Sequence, residues 1–430
     1  MNARSAVLLA LLVAGWQAPA RAQQPLSLDQ AYRLAVRNNP NFAVLRERVV
    51  QAEAARYRAW SAIKPTANLQ TTYTHYDREI AFDVGPASVV IQPQNQFGLV
   101  VAGALPLFRG PAYPRIGAAR NAVEAARLRE IRTRQDFLLR VAQAYYLVVT
   151  RKDAVKALET KLSVDRKHLA AAKARFEVGQ SPRTEVLRAD LVATQDEQNL
   201  LAQRNGVQAA RRALAILIGA PGAPDVERPA EPPSPAGSGD AMLATAHDQR
   251  ADLKAADLAL VIAQQTRKAV WWSFLPLLDL NFVYRDTRPS SEFNPAAWNL
   301  VATLSFPIYD GGQRYADLRE TRSRIAEAAA QKQALELDIE TEIVRLRADL
   351  ASATAGVVSA RKALSLAKTT AEDMEASFQV GASTQLDVLD ATQRLLDAEL
   401  GLSSALFNRD LARLALAHAQ GRFDPLRASR

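Results

Sequence analysis

Twelve residues of this chain occur twice. FEVGQSPRTEVL (Phe176 to Leu187) returns 202 positions later as FQVGASTQLDVL (Phe378 to Leu389), and the shared pattern is Phe-x-Val-Gly-x-Ser-x-x-x-[Asp/Glu]-Val-Leu. In both places an Ala-rich stretch free of Gly and Pro runs into the glycine, and another helical stretch leaves after it. Gly179 and Gly381 suit the left-handed backbone that stops a helix, and Ser181 and Ser383 are placed to cap the helix that follows. Each copy therefore reads as the tip of a helical hairpin, and the chain as an internal duplication built from two long hairpins.

Composition limits what such a chain does. Residues 1–22 carry one early positive charge at Arg4, an apolar run from Ala6 to Trp16 and small residues at Ala20 and Ala22, the pattern of a cleavable secretory signal with the mature chain starting near Gln23. The apolar run is too short to span a bilayer. There is no cysteine, which excludes disulfides, thiolate metal sites and a lipid-anchoring thiol. The net charge of +9 falls to +7 without Arg4 and Arg21, and these charges alternate in sign along helices, so they read as a solvated surface rather than a nucleic-acid groove. His75, His168, His247 and His418 show no metal-ligand spacing, and no phosphate-binding loop ending in Gly-Lys-Ser/Thr occurs. Gly311-Gly312 reads as a strand-to-helix turn. Nothing suggests an enzyme or a cofactor.

The two halves repeat one order of elements. In the first, a capped helix from about Ser27 to Asn39 precedes Pro40, a second helix runs to about Ile63, and Lys64-Pro65 ends it. The period then changes to two. Leu69, Thr71 and Tyr73 alternate with Asn68, Gln70 and Thr72, and after a polar loop Phe97 to Leu107 reads as a second strand. In the second half Trp271 to Pro276 corresponds to Trp60 to Pro65. Leu278, Leu280, Phe282 and Tyr284 form one face of a third strand, and Trp298, Leu300, Ala302, Leu304 and Phe306 form one face of a fourth. Pro221 to Asp240 is a Pro-rich linker between the halves.

Ala118 to Val178 contains no Gly or Pro, about 61 residues, or roughly 90 Å of helix. That exceeds a globular domain. Its neighbours, about 22 residues (Asn41 to Ala62) and about 36 (Arg183 to Ile218), would together match its length. In the second long helix Ile339, Ile343, Leu346, Leu350, Ala353, Val357, Ala360, Leu364, Ala367, Ala371, Met374 and Phe378 are spaced 4-3-4-3. This is a coiled-coil heptad. The positions 202 earlier are apolar except Arg151 and Asp165.

Four amphipathic strands leave open edges and an exposed apolar face in a lone chain. Membrane barrels begin at about eight strands, so two or three copies are needed to close one. Asp279, Asn281, Arg285, Asn299, Thr303 and Ser305 would then face water while the aromatic and aliphatic set faces lipid. A soluble sandwich sheet is the competing reading. A periplasmic adaptor would have one hairpin and more β modules, and a secreted coiled-coil structural protein has no use for amphipathic strands.

The repeated hairpin, FQVGASTQLDVLDA above all, with strands running into PLFRG and FPIYDGG ahead of long helices, resembles the TolC-like outer-membrane efflux proteins over essentially the whole mature chain. The resemblance implies a mainly α fold with a small β part: a homotrimer whose four strands per chain close a 12-stranded barrel in outer-membrane lipid, continued by a long α-helical coiled-coil barrel through the periplasm of a Gram-negative bacterium. It divides the chain into a signal (1–22), a first repeat (23–220), the linker of an equatorial region (221–240), a second repeat (241–421) and a tail (422–430). The Gln23 to Asn39 region, the linker and the tail would girdle the tunnel. The loops from about Asp77 to Gln96 and from about Asp286 to Ala296 would face outside the cell. By the same resemblance the channel passively conducts cargo supplied by an inner-membrane efflux pump or ABC exporter through a periplasmic adaptor, which would contact the tips at Phe176, Gly179, Ser181, Phe378, Gly381 and Ser383. Asp387 and Asp390 match family positions that form acidic rings at the periplasmic gate, with Arg188 and Glu185 of the first repeat as partners. Two departures stand out. No N-terminal cysteine is available for lipidation, and Ser383 occupies the place where the family's type member has a gate-closing arginine.

Overall fold

The computed structural model describes residues 25–85, 87–235, 237–289 and 295–426. Residues 1–22, read above as a secretory signal, Pro86 and residues 290–294 in the two loops expected to face outside the cell, and residues 427–430 of the tail lie outside these. In chain order the elements are α1 (Leu28–Asn38), α2 (Pro40–Ser61), β1 (Thr66–His75), β2 (Ile80–Val84), β3 (Ala87–Gln92), β4 (Asn95–Phe108), α3 (Ala112–Glu177), α4 (Arg183–Ile218), α5 (Gly239–Gln249), α6 (Ala251–Trp272), β5 (Leu277–Arg288), β6 (Ala297–Ser305), α7 (Gln313–Gln379) and α8 (Gln385–Ala419). They fall into two compact units, Met1–Phe42 with Gln135–Met242 and Glu342–Arg430, and Ala43–Arg134 with Leu243–Thr341.

The second of these units holds the main sheet, antiparallel in the order β1-β4-β5-β6. Its register lines up the apolar residues of all four strands. Leu69 pairs with Val101 and Tyr73 with Phe97, Leu105 pairs with Leu280 and Val101 with Tyr284, and Phe282 and Tyr284 pair with Leu300 and Trp298. Side chains directly opposite share a face, so one continuous apolar face crosses the sheet. It is uncovered in the single chain: Leu69, Tyr73, Trp298 and Leu304 are 67–69 % exposed. Asp279, Asn281, Val283 and Arg285 oppose Thr303, Val301, Asn299 and Ala297 on the other face.

Local chemistry sets the joints around the sheet. Gly110 lies against Trp272, where a Cβ would come within 3.2 Å of the tryptophan carbonyl. Arg109 Nε donates to Asp279 Oδ1 at 3.1 Å. At the start of α7, Asp310 accepts from the backbone N–H of Gly312 (3.2 Å) and Arg314 (3.1 Å), so the strand-to-helix turn is an acidic cap on two left-handed glycines (φ 68° and 90°). α3 begins six residues before the Gly/Pro-free stretch, at Ala112, because Pro114 sits in the first turn, where its missing N–H has no partner to lose.

One expectation fails here. The segment after β1 is no plain polar loop: β2 and β3 form a separate two-stranded hairpin around Gly85. Ile80 and Phe82 on one side and Val89 and Ile91 on the other carry a period-two alternation short enough to be overlooked.

The other unit contains the hairpins and a mixed belt. Leu26 bridges Val226 in parallel, and the Tyr145 hydroxyl lies 2.7 Å from the Leu26 carbonyl and 2.8 Å from that of Glu227. Lys152 Nζ donates to Asp225 (2.8 Å) and to the Val226 carbonyl (2.7 Å). Tyr32 and Phe423 meet edge to face at 6.2 Å. The N-terminal segment, the linker and the residues after α8 therefore share one small core. In α7 every heptad position from Ile339 to Phe378 is buried or half-buried, while Val344, Val358 and Leu366, off the seam, are 60–66 % exposed. Leu158, Leu162, Leu200 and Leu396 form a buried cluster from both hairpins.

Candidate functional site

The hairpin tips are built by the glycines. Gly179 (φ 75°) and Gly381 (φ 76°) end α3 and α7, with Gln180 N–H donating to the Arg175 carbonyl and Ala382 N–H to that of Ser377, each at 2.8 Å. A Cβ at either glycine would meet nothing within 4 Å, so only the dihedral demands glycine there. The serines do not cap as expected. Pro182 and Thr384, each one residue later, are the N-caps. Ser181 Oγ instead donates to Glu185 at 2.5 Å, and Ser383 Oγ reaches back to donate to the Met374 carbonyl, inside the last turns of α7, at 3.1 Å.

Asp387 and Asp390 sit on the first two turns of α8 and differ in their partners. Asp387 completes a capping box: its carboxylate accepts from Thr384 Oγ1 (2.7 Å) and N–H (2.9 Å), and its own N–H donates to Thr384 Oγ1. Those bonds hold its carboxyl below the usual range. Asp390 pairs with Arg394 at 2.9 Å one turn on, and both side chains are solvent-exposed. Within the single chain neither aspartate meets Arg188, which is exposed.

Phe176 and Phe378, equivalent in the repeat, are treated differently. Phe176 is 44 % exposed. Phe378 is half-buried beneath Arg175, whose guanidinium lies 4.5 Å from its ring, with the His168 ring 6.2 Å away edge-on. His168 is buried and its Nε2 lies 3.2 Å from Glu375 Oε2 on α7. His168 therefore belongs to the contact between hairpins, as His418 belongs to Asp136 at 2.7 Å.

A second cluster is absent from the sequence-based reading except for the note that Asp165 breaks the heptad. Lys161, Asp165 and Asp196 are all buried between α3 and α4. Lys161 Nζ donates to Asp165 Oδ2 at 2.8 Å and to Asp196 Oδ2. Burial, then the hydrogen bond with Asp196, pushes the Asp165 carboxyl up to about 6 against the pull of Lys161. Asp196 is held down because its bonds from Asp165 and Lys161 outweigh burial. Asp165 Oδ1 is buried without a partner. The i,i+4 spacing of Lys161 and Asp165 is the sequence signal that would have found it. Among the described residues no group of three or more His, Cys, Asp or Glu could hold a metal ion.

A sheet with one continuous apolar face and two open edges, joined to helices of 66 and 67 residues, defines an outer-membrane channel subunit rather than a soluble rod. The profile of the outer membrane efflux protein family matches residues 31–220 and 242–422, one match per repeat, and the chain belongs to that family. It is 24 % identical to the outer membrane protein TolC of Vibrio cholerae over 92 % of this chain and 90 % of that one. It is likewise 24 % identical to the alkaline protease secretion protein AprF of Pseudomonas aeruginosa, over 89 % and 82 %. The crystal structure of the outer membrane protein VceC from Vibrio cholerae superposes with a TM-score of 0.75 at 20 % identity, covering 92 % of this chain and 96 % of VceC. The protein is thus an outer-membrane channel of the kind that serves efflux or secretion.

Proposed function

We propose that three copies close a 12-stranded barrel and a helical tunnel, and that the channel conducts passively, its energy coming from an inner-membrane pump or ABC exporter reached through a periplasmic adaptor. The observation that carries this reading is the register of the sheet. Four strands share one uncovered apolar face and leave the outer edges of β1 and β6 unpaired, and a β1-to-β6 pairing between copies satisfies both needs at once. No step of transport asks for an enzyme. Gly179 and Gly381 shape exposed turns suited to an adaptor's helical ends, so a valine at either would strain a positive φ, lower resistance to exported compounds and leave trimer and insertion intact.

Asp387 and Asp390 are the proposed periplasmic gate. Three copies bring six carboxylates near the axis, which favours cations. Asp390 carries more of this role than Asp387, whose oxygens are engaged by Thr384. The deciding experiment is a planar-bilayer recording of the purified full chain. Wild type conducts cations preferentially and is blocked from the periplasmic side by multivalent cations, and the double change of both aspartates to alanine removes the block. Unchanged block and selectivity in that variant would move the constriction elsewhere, and a monomeric or dimeric mass in detergent would sink the trimer.

A further inference from the structure

The internal repeat extends to the strands and assigns the residues that meet where two copies join. Pro65 and Pro276 precede β1 and β5, and Pro276 lies 211 positions after Pro65. Pro106 and Pro307 stand near the ends of β4 and β6, and Pro307 lies 201 positions after Pro106. The backbone obeys both shifts. Thr66 pairs with Ala104, and the shifts carry that pair onto Leu277 and Ser305, which are themselves paired. Every β5–β6 pair, down to Arg285 with Ala297, is the image of a β1–β4 pair in the same way. The two strand pairs are one unit used twice.

β4 and β5 come from different units, so their pairing is a template for a join between chains. β1 and β6 lie at opposite edges of the sheet and run in opposite directions, as an antiparallel join requires. At the helix end of the β4–β5 seam, Gly110 is buried against Trp272, and the Tyr113 ring meets Trp272 edge to face at 6.1 Å. The matching surfaces beside β6 and β1 are bare. Ile308 and Tyr309 after β6 are 87 % and 84 % exposed, and Tyr57 and Trp60 at the end of α2 are 64 % and 44 % exposed. One chain thus carries both halves of a second such seam at opposite edges of its sheet, and the occupant that fits each half is a second copy.

We propose that β6 of one copy pairs with β1 of the next in the register of β4 with β5. Moving Leu105–Leu280, Val101–Tyr284, Ala104–Asn281 and Ala102–Val283 by the same two shifts sets Phe306 opposite Leu69, Ala302 opposite Tyr73, Ser305 opposite Gln70 and Thr303 opposite Thr72. Apolar meets apolar and polar meets polar, so both faces of the sheet continue across the join. The register rests on the three-copy reading and goes beyond it by naming the residues in contact. A slip of one residue would turn apolar side chains to the polar face, so slips of two are the rival registers.

The cysteine-free sequence makes the test direct. Mass of the wild type and of each reduced variant in detergent is measured first, and a wild-type mass other than three chains removes the three-copy reading and this register with it. The in-register variants of the full chain are Thr72→Cys with Thr303→Cys and Gln70→Cys with Ser305→Cys. The slipped variants are Thr72→Cys with Val301→Cys and Thr72→Cys with Ser305→Cys. The two thiols of one chain lie three strands apart, about 14 Å, too far to close on each other. Oxidised in-register variants should run on denaturing gels as covalent trimers, because each copy is linked to both neighbours. Slipped pairs are diagonal neighbours about 7–8 Å apart and should stay mostly monomeric. In an intact trimer, a slipped pair that links better than the in-register pairs, or no link from either in-register pair, overturns the register.

Discussion

The two hairpins share a sentence of sequence and little of its chemistry. Lys161, Asp165 and Asp196, the buried polar knot of the first, correspond after the 202-residue shift to Ala363, Ala367 and Ala398 in the second. Three charges in one copy are three methyl groups in the other. The tips diverge in the same way. The first buries Ser181 against Glu185 and leaves Phe176 outside, whereas the second caps its exit helix with Thr384 and Asp387 and tucks Phe378 under Arg175. A buried ion pair is costly to form but specific in register. The first hairpin therefore carries a buried polar contact that favours one register, and the second has alanines at the matching positions.

The sharpest way to break this contrast is to remove one charge from the knot. Lys161→Ala leaves two buried carboxylates without their cation and should destabilise the full chain by about 3–5 kcal/mol in urea unfolding. Replacing Lys161, Asp165 and Asp196 together by alanine, which writes the second hairpin's residues into the first, should recover most of that loss. A triple variant as damaged as the single one would mean the knot stabilises rather than specifies.

The next effect is the pH dependence that Asp165 gives the first hairpin. Asp165 has a folded-state value raised to about 6, so between about pH 4 and pH 6 the folded chain binds more protons than the unfolded one. Stability should therefore fall as pH rises through that window, by on the order of 2 kcal/mol, and Asp165→Asn should flatten it. Asp196, held down, acts in the opposite sense only below its ordinary range, so the two windows separate.

Smaller effects test the second hairpin. Thr384→Ala removes the capping box and should cost about 1 kcal/mol, seen as earlier fraying of α8 by hydrogen exchange. Arg394→Ala frees Asp390 from an exposed i,i+4 pair and should change stability by no more than about 0.5 kcal/mol while increasing cation selectivity. A drop in selectivity would show that Arg394 belongs to the pore lining in its own right.

Periodicity made most of this architecture legible. The heptad from Ile339 to Phe378 matches the buried face of α7 residue for residue, and the α4 bounds coincide with the Arg183 to Ile218 estimate, because long helices repeat their signal many times. The β2–β3 hairpin was missed because five residues repeat a two-residue period too few times to stand out. The serine caps were placed one residue early, since Ser181 and Ser383 satisfy the cap composition while Pro182 and Thr384 hold the extended dihedrals. The knot at Lys161 was hidden for a different reason. A charge at a seam position reads as a flaw until a partner from another helix is seen beside it.

The unpaired edges of β1 and β6 also bear on genetics. A chain whose sheet is complete only in company is vulnerable to its own defective siblings. In the proposed ring of three, each copy supplies one edge and accepts another, so a single subunit able to join at one edge but not the other spoils the whole ring. Where half the chains are of that kind, random mixing leaves only about one ring in eight wholly sound. Substitutions on the outer edge of β1 or β6 should accordingly behave as dominant-negative alleles when expressed beside the wild type.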